Sequence, residues 1–402
     1  MTDLEERLRT YQRVCAEVDL DAILHNAQYL KGKVASHTKI AAVIKADGYG
    51  HGSIPIAQCL EPFDFLWGFA AATPEEAFLL RENGVKKPIL VLGSVFPYAY
   101  GRMAKEDIRA TVFAKEMLPA LSQAAECAQK PVKVHVKVDT GMGRIGVTPD
   151  EEGLVFVNAL MEYVRGGSLE LEGIFTHFAR ADERDKANAG RQLTLFQDFL
   201  ERLRTESGID ISLRHCANSA AILEFPESHL DMARAGIALY GLHPSDEVPG
   251  GRTKLEPALS LRSRVVLVKT LRKGQSVSYG GTFTAERDMR VATIPVGYGD
   301  GYPRALSGRG SVLIRGRRAA VLGRVCMDQF MVDVSGIPEA SEGDIATLIG
   351  ADGGERITAE ELGALSGRFN YELVCNLGRR VPRVFYREGR AVAAQDMGGF
   401  YK

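Results

Sequence analysis

The sequence predicts an α/β protein, a (β/α)8 TIM-like barrel followed by a mostly β C-terminal domain. Three observations carry that expectation. Between residues 40 and 238, eight short apolar runs alternate with stretches of helical periodicity. Beyond about residue 250 the texture changes to β-branched, closely spaced runs broken by glycine turns. The length, 402 residues, suits two domains or one large barrel with an appendage.

In chain order the eight runs are "IAAVI", "FLWGFA", "PILVLG", "ATVFA", "VKVHVKV", "LEGIFTH", "LRHC" and "MARAGIAL". Eight strands with helical intervals favour a closed barrel over an open sheet. Among the intervals, "TPEEAFLLRENG" carries its own boundaries: Thr73 and Glu76 have capping-box spacing, and Gly84 is a helix stop. The Gly/Pro/Ser-rich stretch 241–257, "GLHPSDEVPGGRTKLEP", reads as a linker. It divides a barrel domain (1–250) from a β-rich domain (251–402), with residues 1 to about 15 an extra helix or a segment packed on the β domain. Within the β domain, "TAEELGALSG" is the one helical insert expected.

Composition excludes several classes. Lys+Arg is 50 against Asp+Glu 51, so no excess charge points to nucleic acid or an anionic membrane surface. The arginine clusters "IRGRR" and "LGRRVPR" read chiefly as solvated surface, with a phosphate or carboxylate contact as the alternative. No apolar run approaches a membrane span, and the charged N-terminus lacks the apolar core of a signal peptide. Six cysteines scattered without C-x-x-C pairs argue against disulfides or structural zinc and for the cytoplasm. No metal-ligand, Walker A or dinucleotide fingerprint is present.

In a barrel, chemistry gathers at the carboxyl ends of the strands. That rule puts Lys45 after the first strand, in "AAVIKADGYGHG", and Lys137 and Arg144 around the fifth, in "VKVDTGMGRIG". His177 ends the sixth, Asn218 and Ser219 follow the seventh, and Arg234 and Gly236 belong to the eighth. Each has an ordinary alternative. A lysine after a strand is usually a snorkelling surface residue, and Asn218 or Ser219 can simply cap the next helix. Convergence on one rim is what singles them out. A lysine held at an apolar strand end becomes a usable nucleophile for a carbonyl. The loops after strands seven and eight are the usual barrel seat for phosphate. An imine-forming lysine facing a phosphate cradle points to pyridoxal 5'-phosphate, with Arg234 as partner of its ring nitrogen.

Together the motifs resemble the alanine racemase family of fold-type III, barrel-type pyridoxal-phosphate enzymes. "AVIKADGYGHG", "VKVDTGMGRIGV", "HCANSAA", "RAGIALYG", "VSYGGTFTA", "PVGYGDGYPR", "VCMDQFMVDV" and "FNYELVCNLGRRVPRVF" fall in that family's order over nearly the whole chain. The resemblance implies an isomerase that interconverts L- and D-alanine with two bases, supplying D-alanine for peptidoglycan. Lys45 would be the Schiff-base lysine and Tyr279 the second base, supported by His177. Arg234 would bond the ring nitrogen and Arg144 the phenolic oxygen. Ser219, Gly236, Ile237 and Tyr371 would hold the phosphate, with Tyr49, His177 and Asn218 also among the cofactor contacts. Lys137 matches the lysine that is often carbamylated to orient Arg144. Met327 would offer its backbone N–H to the substrate carboxylate, with Asp328 and Arg144 beside it and Tyr298 lining the access route. The family's head-to-tail homodimer would bring Tyr279, Met327 and Asp328 to the partner's site. The nearest enzymatic alternative, a basic amino-acid decarboxylase, would set an acid rather than Arg234 at the ring nitrogen.

Overall fold

The computed structural model describes residues 3–248 and 253–402. The chain forms two compact units, one of Ile23–Gly48 and Ile56–Glu256, the other of Met1–Ala22, Tyr49–Pro55 and Pro257–Lys402.

The first unit is a parallel barrel. After β1 (Val14–Asp19), which belongs to the second unit, its strands are β2 (Lys39–Val43), β3 (Leu66–Ala71), β4 (Ile89–Val91), β5 (Ile108–Val112), β6 (Val132–Lys137), β7 (Leu169–Phe175), β8 (Leu213–His215) and β9 (Met232–Ala235). They lie in the order β8-β7-β6-β5-β4-β3-β2-β9. The ring closes between β8 and β9 through Asp231 N–H to Arg214 O (3.2 Å) and Arg234 N–H to Ala217 O (3.0 Å). All eight apolar runs therefore become barrel strands. Strands covered on both faces favour near-continuous apolar sequence, and β4, Ile89-Leu90-Val91, is apolar and buried along its whole length.

The helix Pro74–Glu82 starts on the expected capping box, Thr73 with Glu76, and the chain turns out of it at Gly84, at φ +84°. One irregularity bears on the site. Along β6 and β7 the register runs Val134↔Leu171 and then His135↔Gly173, so Glu172 sits in a bulge. A bulge breaks the two-residue alternation of side chains and re-aims the extra one.

The second unit is built on antiparallel strands: β10 (Leu259–Arg264), β11 (Leu267–Leu271), β12 (Ser276–Val277), β13 (Phe283–Thr284), β14 (Met289–Ile294), β15 (Ser311–Ile314), β16 (Arg317–Leu322), β17 (Phe330–Asp333), β18 (Ile345–Asp352), β19 (Glu355–Ile357), β20 (Arg383–Arg387), β21 (Arg390–Asp396) and β22 (Gly399–Tyr401). In its main sheet β1 pairs antiparallel with β10 and parallel with β20. The N-terminal segment Asp3–Thr10 is a helix that packs Leu4 against Val384 and Ala394.

Two sequence expectations need correction. Beyond Pro257 the described residues of the β-rich unit form two α-helices where one was expected, Ala359–Ser366 and Asn370–Cys375. The second is too short, at six residues, to show helical periodicity. The cluster "LGRRVPR" is not solvated surface throughout. Arg383 is buried and donates to the carbonyls of Leu377, Gly378, Val381 and Gly50. Residues 249–252 of the expected linker lie outside the described residues.

Candidate active site

Lys45 follows β2 and opens an unusual turn. Ala46, Asp47, Gly48 and Tyr49 all adopt left-handed backbone, with φ of 51°, 50°, 63° and 51°. Each L-residue there costs about 1–2 kcal/mol, so the segment after the lysine is a strained left-handed turn. Its support is specific. Glu76 accepts from Ala46 N–H (2.6 Å) and from Ala72 N–H (2.7 Å), while Gly48 N–H reaches back to Ile44 O (2.9 Å). Glu76 is thus more than a cap: it ties the lysine's turn to the next helix.

Arg234, only 3% exposed, is the hub of the rim. Its Nη1 donates to His215 Nδ1 (2.8 Å). Its Nη2 donates to Thr176 O (2.9 Å), Cys216 O (3.0 Å) and His177 Nδ1 (3.1 Å). None of these bonds uses Nε. Burial pushes the guanidinium down to about 10, which leaves it charged at neutral pH. An arginine can only donate, so His177 Nδ1 must accept and the proton of the neutral ring sits on Nε2. Burial, with the cations Arg234, Arg144, Lys137 and Lys45 around it, holds His177 well below the usual imidazole range.

Lys137 ends β6, is 2% exposed and donates to Val138 O (2.6 Å). Burial and the neighbouring Arg234 and Arg144 push its amine down to about 8, against the opposing pull of Asp139. Arg144 is exposed, on a loop whose turn is held by Asp139 Oδ1 accepting from Gly141, Met142 and Gly143 N–H. Ser219 Oγ accepts from Gly236 N–H (2.9 Å) and Ala238 N–H (3.3 Å), drawing the loop after β9, with Ile237, against the loop after β8. Asn218 does cap the following helix, accepting from Ala221 N–H at 3.0 Å.

The remaining site residues belong to the second unit. Tyr279 is 71% exposed on a turn between β12 and β13, preceded by Ser278 at φ +67°. Ser278 Oγ is tied to Arg324 O at 2.6 Å. Met327 is 52% exposed, and its segment is pinned beside Tyr298: Tyr298 N–H donates to Cys326 O (3.1 Å) and Gly299 N–H to Met327 O (2.9 Å). Asp328 pairs with Arg380 (2.5 Å), which also holds the buried Asp300 (2.8 Å). Tyr371, on the helix missed by sequence, meets the edge of Tyr49 with ring centroids 6.0 Å apart.

The alanine racemase N-terminal domain family matches residues 18–244, and the alanine racemase C-terminal domain family matches residues 258–385. The chain belongs to the alanine racemase family. It is 46% identical to the alanine racemase of Desulforamulus reducens over 92% of this chain and 98% of that one. It is 47% identical to that of Desulfovibrio desulfuricans over the same shares. Among solved structures, the Clostridium difficile alanine racemase superposes with a TM-score of 0.89 at 37% identity, covering 96% of this chain and 98% of that one. The Bacillus anthracis alanine racemase with bound L-Ala-P gives 0.87 at 39% identity with the same coverage.

Alanine racemisation is therefore this chain's activity, and the family implies pyridoxal phosphate. The residues present suit that group. A lysine held on a strained turn, a charged buried arginine and a serine drawing two loop N–H groups together supply the imine partner, a donor for a ring nitrogen and a phosphate seat. His135, His215, Glu172 and Arg380 were not singled out from sequence, and Glu76 was read only as a helix cap. A signal existed for His135, two residues before Lys137 on the same strand face.

Proposed function

We propose that this racemase binds pyridoxal 5'-phosphate through Lys45 and moves the α-proton of alanine between two opposed bases. When bound, the cofactor supplies an electron sink that acidifies the substrate's Cα–H. The observation that carries the reading is Arg234: a permanently charged donor, buried among fixed acceptors, where a decarboxylase would need an acid. Arg144 meets the phenolic oxygen. Ser219, Gly236, Ile237 and Tyr371 take the phosphate, and Tyr49, His177 and Asn218 complete the cofactor's surroundings.

One base rarely reaches both faces of a carbon, so Lys45 serves D-alanine and Tyr279 of the partner subunit serves L-alanine. The 71% exposure of Tyr279 in the single chain supports its delivery to a second copy in a head-to-tail homodimer. A phenol ordinarily titrates near 10 and must be helped to act as a base. His177, with its proton on Nε2, is set to donate to a phenolate. Met327 N–H and Asp328 frame the substrate carboxylate, and Tyr298 narrows the approach. An amine at about 8 is roughly one-tenth neutral at pH 7, the form that captures carbon dioxide, which supports a carbamate on Lys137 paired with Arg144. No helix among the described residues is long and apolar enough to cross a membrane. The free cysteines support a cytoplasmic location, and the family implies that the D-alanine goes to peptidoglycan.

The test follows D-alanine formation from L-alanine by an oxidase-coupled assay, with L-serine and L-lysine in parallel. The holoprotein should be yellow and prefer alanine to serine by about 10–200-fold, the reach of a pocket fitted to a methyl group. Tyr279→Phe should abolish solvent deuterium uptake from L-alanine and retain it from D-alanine. A protein that stays colourless after reconstitution, or equal loss from both enantiomers, refutes the reading.

A further inference from the structure

Behind Arg234 a chain of buried polar groups runs through the barrel to the amino-terminal ends of its strands. Arg234 Nη1 meets His215 Nδ1 at 2.8 Å, and His215 Nε2 meets His135 Nδ1 at 2.9 Å. His135 Nε2 meets Glu172 Oε2, also at 2.9 Å. Glu172 is clamped in turn by Arg109, through Nη2 to Oε1 and Nε to Oε2, each at 3.0 Å. Arg109 pairs with Asp107 at 2.7 Å. Both imidazoles are fully buried, His215 stacks on Phe175 at 4.7 Å, and Trp67 meets His135 edge-on.

The fold builds this chain deliberately. The β7 bulge re-aims Glu172, and Gly173 leaves the space His135 occupies: a Cβ there would lie 2.7 Å from His135 Nδ1.

The two ends dictate one proton arrangement. Arg234 can only donate, so His215 Nδ1 is bare and its proton is on Nε2. That proton needs an acceptor, so His135 Nδ1 is bare and its own proton is on Nε2, facing Glu172. An ionised Glu172 can only accept, which is the same answer read from the other end. A proton added to either ring would set two donors against each other at a buried contact. Burial, the first cause for both rings, holds His135 and His215 below the usual imidazole range. Glu172 is brought down to about 2 by His135 and Arg109 despite its burial.

We propose that Glu172 is a positioning residue for Arg234, acting through His135 and His215 as a one-way acceptor chain that fixes the guanidinium's orientation. The proposal rests on the reading of Arg234 as the donor to the cofactor's ring nitrogen. It assigns function to a carboxylate half-way along β7, two imidazoles removed from Arg234.

The test uses histidine-labelled holoenzyme. Ring ¹⁵N shifts should show His135 and His215 each neutral, with Nε2 protonated and Nδ1 bare, throughout about pH 6–8, where an unrestrained imidazole titrates. A cationic ring, or a proton on either Nδ1, overturns the inference. Glu172→Met keeps the Arg109–Asp107 pair. It should cost about tenfold in kcat with KM for alanine changed less than about twofold, the scale of losing an outer partner of an oriented group. In a His135→Leu background the same change should cost nothing more, whereas losses that multiply would mark Glu172 as merely structural and overturn the proposal. If Glu172→Met does not fold, the wild-type ring spectrum still decides. If the wild type fails to turn over alanine, the cofactor reading falls, while the ring spectrum of the same protein judges the relay separately.

Discussion

Replacing Lys137 by methionine should stabilise the protein at neutral pH, by an amount that shrinks as the pH rises. Lys137 is 2% exposed, and its amine titrates at about 8 in the folded chain rather than 10.5. Folding therefore disfavours its charged form. At 1.36 kcal/mol per pH unit the gap of 2.5 corresponds to about 3 kcal/mol, all of it present below pH 8. Between pH 8 and 10.5 the folded chain has already lost the proton that the unfolded chain still binds, so wild-type stability climbs with pH. Methionine has similar volume and nothing to titrate. Working the linkage through, the stability gap should close by about 2 kcal/mol between pH 7 and pH 9.5. Urea denaturation midpoints of both proteins, in bicarbonate-free buffer at the two pH values, measure it. A gap that stays constant or widens with pH would refute the reasoning. Bicarbonate adds a second arm: converting the amine to an anion beside Arg144 should stabilise the wild type and leave the methionine variant unmoved.

Three further outcomes are expected. Gly50→Ala puts a Cβ 2.0 Å from Val374 O at a backbone φ of +80°, so it should lose about 3 kcal/mol or more, read as a lowered Tm and poor soluble yield. Asp300→Asn weakens the bonds from Arg13 (2.7 Å) and Arg380 (2.8 Å); because both arginines are partly exposed the cost should be about 2 kcal/mol, and KM for alanine should rise because Arg380 also holds Asp328. Arg234→Glu should raise side transamination, seen as pyridoxamine phosphate accumulating during turnover, since an acid lets the ring nitrogen carry a proton and strengthens the electron sink; unchanged partitioning would count against a weak sink as the reason for arginine.

The barrel was legible because a parallel strand covered on both faces favours a near-continuous apolar run, and each of the eight runs became a strand of the ring. Rim residues such as Lys45, Lys137 and His177 were legible for a related reason: a polar residue ending such a run stands out. What escaped the sequence breaks those periodicities. Glu172 sits in a bulge that no two-residue alternation anticipates, and the helix holding Tyr371 is too short to show a period. Three non-glycine residues in left-handed backbone after Lys45 run against their own local preference. Arg383, read as surface, is buried because four carbonyls converge on it, a tertiary fact with no local signature.

These exceptions share a direction. The left-handed turn at Lys45 costs several kcal/mol of backbone strain by the usual scale, and burying the Lys137 amine costs about 3 more. Arg234 carries full charge at 3% exposure. A chain selected for stability alone would place glycine at 46 and 47 and an apolar residue at 137. Each departure is instead braced by a neighbouring carboxylate: Glu76 under the turn, Asp139 beside the lysine, and Glu172 behind two histidines and the arginine. Strain alone would mark a poorly fitting sequence, and bracing alone an ordinary core. Both together, repeated around one rim, mark side chains whose position matters more than their stability.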